Sequence, residues 1–204
     1  MPEGSKECML YLPLFDRVDA LEIGIDEDAS IVTFENPFRH KSVFKGSSIT
    51  HGASASRPGM TYPARFGRDN GFYVCNLGFS GKSRLQKEYA RIIADTEADA
   101  FIFDAFSNPL ADEINERFDE FVDIIRESHP DTPLIFLQTE RRETRNFNMS
   151  IEAREAAKQK AAEDQMRERM KTDRHLYFIT SEDFLGHEHI ATVDGTHPND
   201  LGFT

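Results

Sequence analysis

The sequence lacks tryptophan, has only two cysteines and carries fewer basic than acidic residues, 24 against 36. The net charge of −12 argues against a nucleic-acid partner, because such binding depends on clusters of Lys and Arg that neutralise phosphates. Cys8 and Cys75 lie too far apart in sequence for a zinc-ligand pair, so we expect free thiols, with Cys75 buried in a strand. These absences favour an ordinary globular protein.

Long apolar runs are also missing. No stretch approaches the ~18 consecutive apolar residues of a membrane-spanning helix, and the first residues show no basic-then-apolar secretion signal. We therefore expect no membrane insertion. The native compartment stays open, because a signal can be removed from a mature chain.

Short apolar runs alternate with helical patterns along most of the chain. The predicted buried strands cover residues 42–45, 72–77, 100–105, 134–138 and 176–180. The predicted helices cover residues 62–69, 85–96, 110–129 and 151–171. In the third helix, core positions recur at helical spacing: Ile114, Phe118, Phe121, Val122 and Ile125. The fourth helix, with Ser150 as its predicted N-cap, is mostly Ala and charged residues and is predicted to lie on the surface.

This alternation predicts a flavodoxin-like three-layer α/β sandwich with a parallel sheet of about five strands and right-handed crossovers. Sites in such sheets form beyond the carboxyl ends of the strands. Apolar residues alternate before Pro37 in a way that suggests a short β segment. We therefore assign residues 1–37 to a remnant of a small β domain with its linker, and residues 38–204 to the α/β domain.

A small-residue turn follows the first predicted strand and reads Gly46-Ser47-Ser48-Ile49-Thr50-His51-Gly52. A serine between a strand and a helix is held over the sheet edge, where the N–H groups at the helix start favour developing negative charge. The same turn can serve only as a helix cap. Taken alone, it leaves both readings open.

A second motif, Asp194-Gly195-Thr196-His197-Pro198, follows the fifth predicted strand. Asp194 and His197 can touch across such a turn, and the carboxylate can then fix the imidazole tautomer that accepts a proton from a serine. A structural Asx turn is the alternative. Because both motifs lie beyond the carboxyl edge of one parallel sheet, a serine, a histidine and an aspartate can converge there.

The two motifs resemble the Gly-Asp-Ser and Asp-x-x-His blocks of SGNH (GDSL-like) hydrolases. The resemblance implies a serine esterase that needs no cofactor or metal, with Ser48 and not Ser47 as nucleophile, His197 as base and Asp194 as its partner. Ser47 stands where the family has an aspartate. The family's C-terminal helix is expected after His197 and does not follow it in this chain.

Two further blocks carry the resemblance. Asn76-Leu77-Gly78-Phe79-Ser80-Gly81 resembles the family's glycine block, which implies that the Gly78 N–H lines the oxyanion hole together with the Ser48 N–H. Asp104-Ala105-Phe106-Ser107-Asn108-Pro109 resembles the Gly-x-Asn-Asp block without its glycine and its second acidic residue. This second likeness implies that the Asn108 amide also donates to the oxyanion.

The run from Gly46 to Met60, which ends in Ser56-Arg57-Pro58-Gly59-Met60, resembles a GDSL-like subgroup with a small β domain ahead of the hydrolase. Members occur in bacteria that degrade polysaccharides. The resemblance therefore implies hydrolysis of a short acyl group, such as acetyl, from a carbohydrate, and a periplasmic or secreted location.

Two other functions remain open. His187-Glu188-His189 could supply ligands to a zinc-dependent hydrolase, together with Asp194 and His197. The altered blocks would also be compatible with a non-catalytic, flavodoxin-like module that binds carbohydrate or protein.

Overall fold

The computed structural model describes residues 4–204. Its regular elements are β1 (His40–Gly46), α1 (Ser48–His51), α2 (Tyr62–Asn70), β2 (Phe72–Gly78), α3 (Lys87–Ala94), β3 (Ala100–Phe103), α4 (Ala111–Ser128), β4 (Leu134–Leu137), α5 (Met149–Arg169) and β5 (Leu176–Ile179). Short 3-10 turns cover Pro58–Met60 and Glu143–Phe147. None of the helices in residues 4–204 has the length and apolar character needed to cross a membrane.

The five strands form one sheet in the order β2-β1-β3-β4-β5, and every neighbouring pair is parallel. This confirms the predicted α/β fold. Because all strands run the same way, the loops after β1, β2, β3 and β5 emerge at one edge of the sheet.

Helices α3, α4 and α5 cover one face of the sheet. Val43, Phe103 and Phe136 point into this layer and are fully buried, and they meet the predicted core stripe of α4. On the opposite face, Phe44 packs against Tyr62 and Phe66 of α2, with ring centroids 5.6 and 5.5 Å apart. Apolar side chains therefore pack on both faces of the sheet, next to the strands that end at the predicted site.

The predicted details of α5 were wrong in two respects. Asn148, and not Ser150, caps the helix, because its Oδ1 accepts from the N–H groups of Ser150 and Ile151 at 3.0 and 3.2 Å. The helix is also not purely a surface element. It buries the ion pair of Glu155 with Lys158, the small side chains of Ala161 and Ala162, and Met166, which belongs to the apolar core.

Residues 4–39 contain no strand, which differs from the short β segment expected there. Their alternating apolar residues stay exposed, with Leu10 at 61% and Ile23 at 61%. Alternation produces a strand only where a neighbouring strand supplies backbone hydrogen bonds, and none does so here. The segment instead contacts the end of α1, where the Leu14 carbonyl lies 2.6 Å from His51 Nε2 and Phe15 stacks on the His51 ring. Its assignment to a β domain stays a prediction.

Candidate active site

The turn after β1 places Ser48 at the first position of α1. Ser47 is the N-cap, and its Oγ accepts from the Ile49 N–H at 3.1 Å. Only glycine fits at position 46, because a Cβ there would overlap Thr50 and Asp104. The Ser48 N–H donates to no acceptor within residues 4–204, so it is free to bind a ligand.

Asp104, directly after β3, holds this turn from below. One carboxylate oxygen accepts from Ser47 N–H at 3.0 Å, from Ser47 Oγ and from Thr50 Oγ1 at 3.0 Å, while the other accepts from Ser107 Oγ. Only 6% of Asp104 is exposed. A buried carboxylate with this many donors fixes its neighbours strongly, because hydrogen bonds to a charged acceptor are short and strong. From the sequence, this block predicted a role for Asn108 and none for Asp104.

The structure brings Ser48, His197 and Asp194 together. Ser48 Oγ lies 3.0 Å from His197 Nε2, and His197 Nδ1 lies 2.7 Å from Asp194 Oδ2. Ser48 and His197 are 149 residues apart in the chain and meet because both loops leave the same edge of the sheet. The contacts have the order that a base-activated serine needs, namely nucleophile, imidazole and carboxylate.

Hydrogen bonds keep Asp194 ionised. Burial favours its neutral form, but the backbone N–H of His197, the His197 ring and the N–H of Thr196 together outweigh burial and lower the pKa of Asp194 to about 2. The carboxylate is therefore charged at neutral pH. A charged Asp194 can orient the ring of His197 and stabilise its imidazolium form.

The loop that carries His197 is held by contacts at the surface. Thr192 and Pro198 form an antiparallel bridge, and the Glu143 N–H donates to the Gly195 carbonyl at 2.7 Å. The Glu143 carboxylate lies 2.6 Å from His189 Nδ1 and accepts from Thr192 Oγ1 at 3.3 Å. Glu143 therefore fastens the 3-10 turn that it begins to the His197 loop.

The two histidines considered as zinc ligands serve other contacts. His189 pairs with Glu143, and His187 Nε2 lies 3.6 Å from Asp183. Within the part of the chain that the structure describes, no three His, Cys, Asp or Glu side chains cluster at metal-binding distance. The side chains therefore give the zinc hypothesis no geometric support.

The Ser56-Arg57-Pro58-Gly59-Met60 motif also reaches the His197 loop. Ser56 donates to the Asp200 carboxylate through its N–H at 2.9 Å and through its Oγ, and Arg65 donates to the Asp200 carbonyl at 3.3 Å. These hydrogen bonds hold the segment after His197 against the segment after α1. This motif thus joins the segment that follows α1 to the segment that follows His197.

The oxyanion role predicted for Gly78 conflicts with the structure. The Gly78 N–H donates to Asn76 Oδ1 at 2.9 Å and is not free to bind an oxyanion. Gly78 has a packing role instead, because a Cβ there would overlap the backbone of Thr50 and His51. Gly81, the last residue of the same block, has φ +70° and an N–H with no acceptor within residues 4–204. In the turn after β2, the N–H groups of Gly81 and Ser80 therefore remain available as donors.

Asn108 remains available for the predicted role. Its Oδ1 accepts from the Ser83 N–H at 3.2 Å, which leaves its amide N–H₂ without an acceptor in the described residues. The same hydrogen bond ties the loop after β3 to the turn that contains Gly81. Free donors thus lie on the loops after β1, β2 and β3.

A buried carboxyl group lies beside these loops, at the end of β4. Glu140 is 6% exposed and lies near a cavity of about 400 Å³ that Ile49 and Asp104 also line. Burial raises the pKa of Glu140 to about 7, while Arg142, whose Nε is 3.2 Å away, lowers the pKa and Asp104 raises it further. Glu140 therefore carries a proton over much of the acidic range.

Residues 39–204 match the GDSL-like Lipase/Acylhydrolase family. A crystal structure of a Bacteroides ovatus ATCC 8483 protein described as a GDSL-like lipase is 52% identical and superimposes with a TM-score of 0.90. The match covers 95% of this chain and 58% of that one, so the chain spans little more than half of its relative. No curated protein matches.

Two more distant structures share the fold. The salicylyl-acyltransferase SsfX3 from a tetracycline biosynthetic pathway is 24% identical, with a TM-score of 0.67 over 80% of this chain and 51% of its own. A Clostridium thermocellum family two carbohydrate esterase, solved with cellohexaose, is 12% identical, with a TM-score of 0.60 over 85% of this chain and 63% of its own.

Proposed function

Because the chain belongs to the GDSL-like lipase/acylhydrolase family, we propose that it is a serine esterase that removes a short acyl group, such as acetyl, from a carbohydrate. The observation that carries the proposal is the continuous contact from Ser48 Oγ through the His197 ring to the Asp194 carboxylate, at 3.0 and 2.7 Å. This order of groups generates a nucleophilic serine without a cofactor.

In the proposed mechanism, Ser48 Oγ attacks the acyl carbonyl carbon while His197 Nε2 takes the hydroxyl proton. Asp194 stays ionised and stabilises the imidazolium. The negative charge on the carbonyl oxygen is met by the N–H groups of Ser48 and Gly81 and by the Asn108 amide. Collapse of the tetrahedral intermediate expels the alcohol, which receives the proton from His197.

Water then repeats the cycle on the acyl-enzyme. His197 takes a proton from the water as its oxygen attacks the acyl carbon, and the carboxylic acid leaves as Ser48 recovers its hydrogen. Each oxyanion donor contributes roughly 3 kcal/mol to such a step. Gly81 takes the place first given to Gly78, because its N–H has no acceptor whereas the Gly78 N–H donates to Asn76.

The substrate class is supported by the family and by the nature of its relatives. The subgroup resemblance points to acylated sugars, and a protein of the same fold is a carbohydrate esterase. Among the described residues, no long apolar helix lies over Ser48 as a lid of the kind that lipases use at a lipid surface. A short acyl group on a polar alcohol fits this arrangement.

The test is hydrolysis of p-nitrophenyl acetate, butyrate and octanoate, followed by acetylated oligosaccharides. We expect the acetate ester to be cleaved fastest and Ser48→Ala to lose about 10⁴-fold or more in kcat. Ser30→Ala, which changes an exposed serine outside the candidate site, is the matched control. Equal rates for Ser48→Ala and the wild type would refute the esterase and favour the non-catalytic binding module.

A further inference from the structure

Lys45 is a buried cation three residues before Ser48. It is 3% exposed, and its Nζ has no hydrogen-bond partner. Burying an ammonium group without an acceptor costs several kcal/mol in proteins. A methionine or leucine would fill the same space at no such cost, so the presence of lysine here needs a reason.

Two aromatic rings face the ammonium group. Lys45 Nζ lies 4.2 Å from the ring centroid of Tyr89 on α3 and 5.1 Å from that of Phe79, which directly follows β2. The two rings stack on each other at 5.4 Å, with planes 17° apart. Both distances are within the range of cation–π attraction, which is strongest where water is excluded. Lys45 therefore holds the Phe79 ring against α3.

Phe79 begins the turn that carries the free Gly81 N–H. Its own N–H donates to the Gly46 carbonyl at 2.8 Å, and its carbonyl accepts from Lys82 N–H at 3.0 Å. Beyond the turn, the Ser83 N–H donates to Asn108 Oδ1. The turn that Phe79 begins is thus hydrogen-bonded to the end of β1 at Gly46 and to Asn108. A shift of the Phe79 side chain would therefore move this turn.

We propose that Lys45 is a positioning residue, whose cation fixes the Phe79–Tyr89 ring pair and thereby holds the Gly81 N–H where it can meet the oxyanion. This inference rests on the proposed esterase function. Lys45 itself touches no substrate in this account, since it is buried beneath the turn.

The ionisation of Lys45 gives the proposal a distinctive signature. Burial lowers its pKa to about 8, opposed by the charge of Asp104, which acts on it from the loop after β3. Tyr89 is the titratable group that faces it from α3. The cation is present below pH 8 and is lost as pH rises through that value, so the hold on Phe79 is lost in the same window.

A role in packing alone predicts a different result. If Lys45 only filled space, its replacement by Met would leave the turnover of folded enzyme unchanged. In the positioning account, Lys45→Met lowers kcat/KM for p-nitrophenyl acetate about tenfold, since one well-placed cation–π contact is of that size. Thermal stability holds or rises, because an unpaired buried charge is removed.

The decisive experiment measures kcat/KM from pH 6 to 10 for the wild type, Lys45→Met and Lys87→Met, a control that removes an exposed lysine. We expect the wild type and the control to lose activity above pH 8, and Lys45→Met to lack that decline. In a Phe79→Leu background, Lys45→Met should cause no further loss, because the ring through which it acts is gone. Unchanged kcat/KM in Lys45→Met, or an equal loss with and without Phe79, would overturn the proposal.

Amide hydrogen exchange over residues 79–83 separates this inference from the proposed function. At pH 7 we expect faster exchange in Lys45→Met than in the wild type, whether or not the protein hydrolyses an ester. Faster exchange with no esterase activity in the wild type would refute the function and keep the positioning role. Identical exchange in both proteins would refute the positioning role alone.

Discussion

Ser48 and His197 meet at one point but are held by two different regions. The Ser48 turn follows a buried strand and is fixed by Asp104, which is 6% exposed and accepts from Ser47, Thr50 and Ser107. The His197 loop lies at the surface, where the side chains of His197 and Asp194 are 28% and 52% exposed. Its support comes from Glu143 and Ser56.

Because the two regions are held differently, we expect substitutions in them to divide differently between stability and catalysis. The nucleophile is preorganised by groups that also belong to the folded core, so changes there disturb both folding and turnover. The histidine is oriented by a half-exposed carboxylate, so changes there affect turnover more than they affect folding. Substitutions on each side test this division.

The largest effect is expected for Asp194→Asn. The amide removes the charge that orients His197 and stabilises its imidazolium, and kcat should fall about 10⁴-fold. The melting temperature should fall less than in a variant of the buried side, because the Asn side chain can still accept from the N–H groups of Thr196 and His197. Asp183→Asn, at an exposed aspartate beside His187, is the matched control for esterase assays and thermal melts. A drop in stability as large as that of a core variant would contradict the proposed division.

Asp104→Asn should show the opposite balance. The amide cannot accept from all the donors around Asp104, and leaving buried donors unpaired costs about 3 kcal/mol or more in unfolding free energy. Turnover of the remaining folded enzyme should fall less than in Asp194→Asn. Urea denaturation gives the unfolding free energy, and the rate of ester hydrolysis divided by the number of active sites titrated with a fluorophosphonate gives the turnover. Asp131→Asn, at an exposed aspartate, is the control. Wild-type stability in Asp104→Asn would contradict the claim that Asp104 ties the Ser48 turn to the folded core.

An effect confined to the pH dependence of stability is expected at Glu140, on the buried side. Its pKa is raised from 4.5 to about 7, so the folded state keeps a proton that the unfolded chain loses as pH rises through this window. Wild-type stability should therefore fall between about pH 4.5 and 7, by on the order of 3 kcal/mol from this group. Glu140→Gln should flatten the dependence in urea denaturation at pH 5 and 7.5. An equally steep dependence in the variant would show that other groups cause it.

The fold could be predicted closely because its signals are local. The continuous apolar run of the central strand β3 was expected within residues 100–105 and is found at Ala100–Phe103. Parallel strands buried on both faces need such runs, and the helices between them show the helical period. Residues 4–39 were harder to predict, since a strand depends on a partner that the local pattern does not reveal.

The candidate site was predictable where residue type determines the chemistry. Ser48, Asp194 and His197 follow from two short motifs and the sheet edge that they share. Asp104 and Lys45 were missed because their roles depend on contacts across distant parts of the chain, such as the pair Ser47 and Asp104, 57 residues apart. The Gly78 prediction conflicts with the structure because the Asn76 side chain takes up its N–H, which no spacing rule reveals.

The most direct test of the account is the site of covalent labelling by a fluorophosphonate, read by peptide mass spectrometry. We expect a single phosphonylated residue, Ser48, with labelling strongly slowed in Asp194→Asn and absent in Ser48→Ala. Labelling of Ser47, or no labelling of folded wild-type protein, would contradict the assignment of Ser48 as an activated nucleophile.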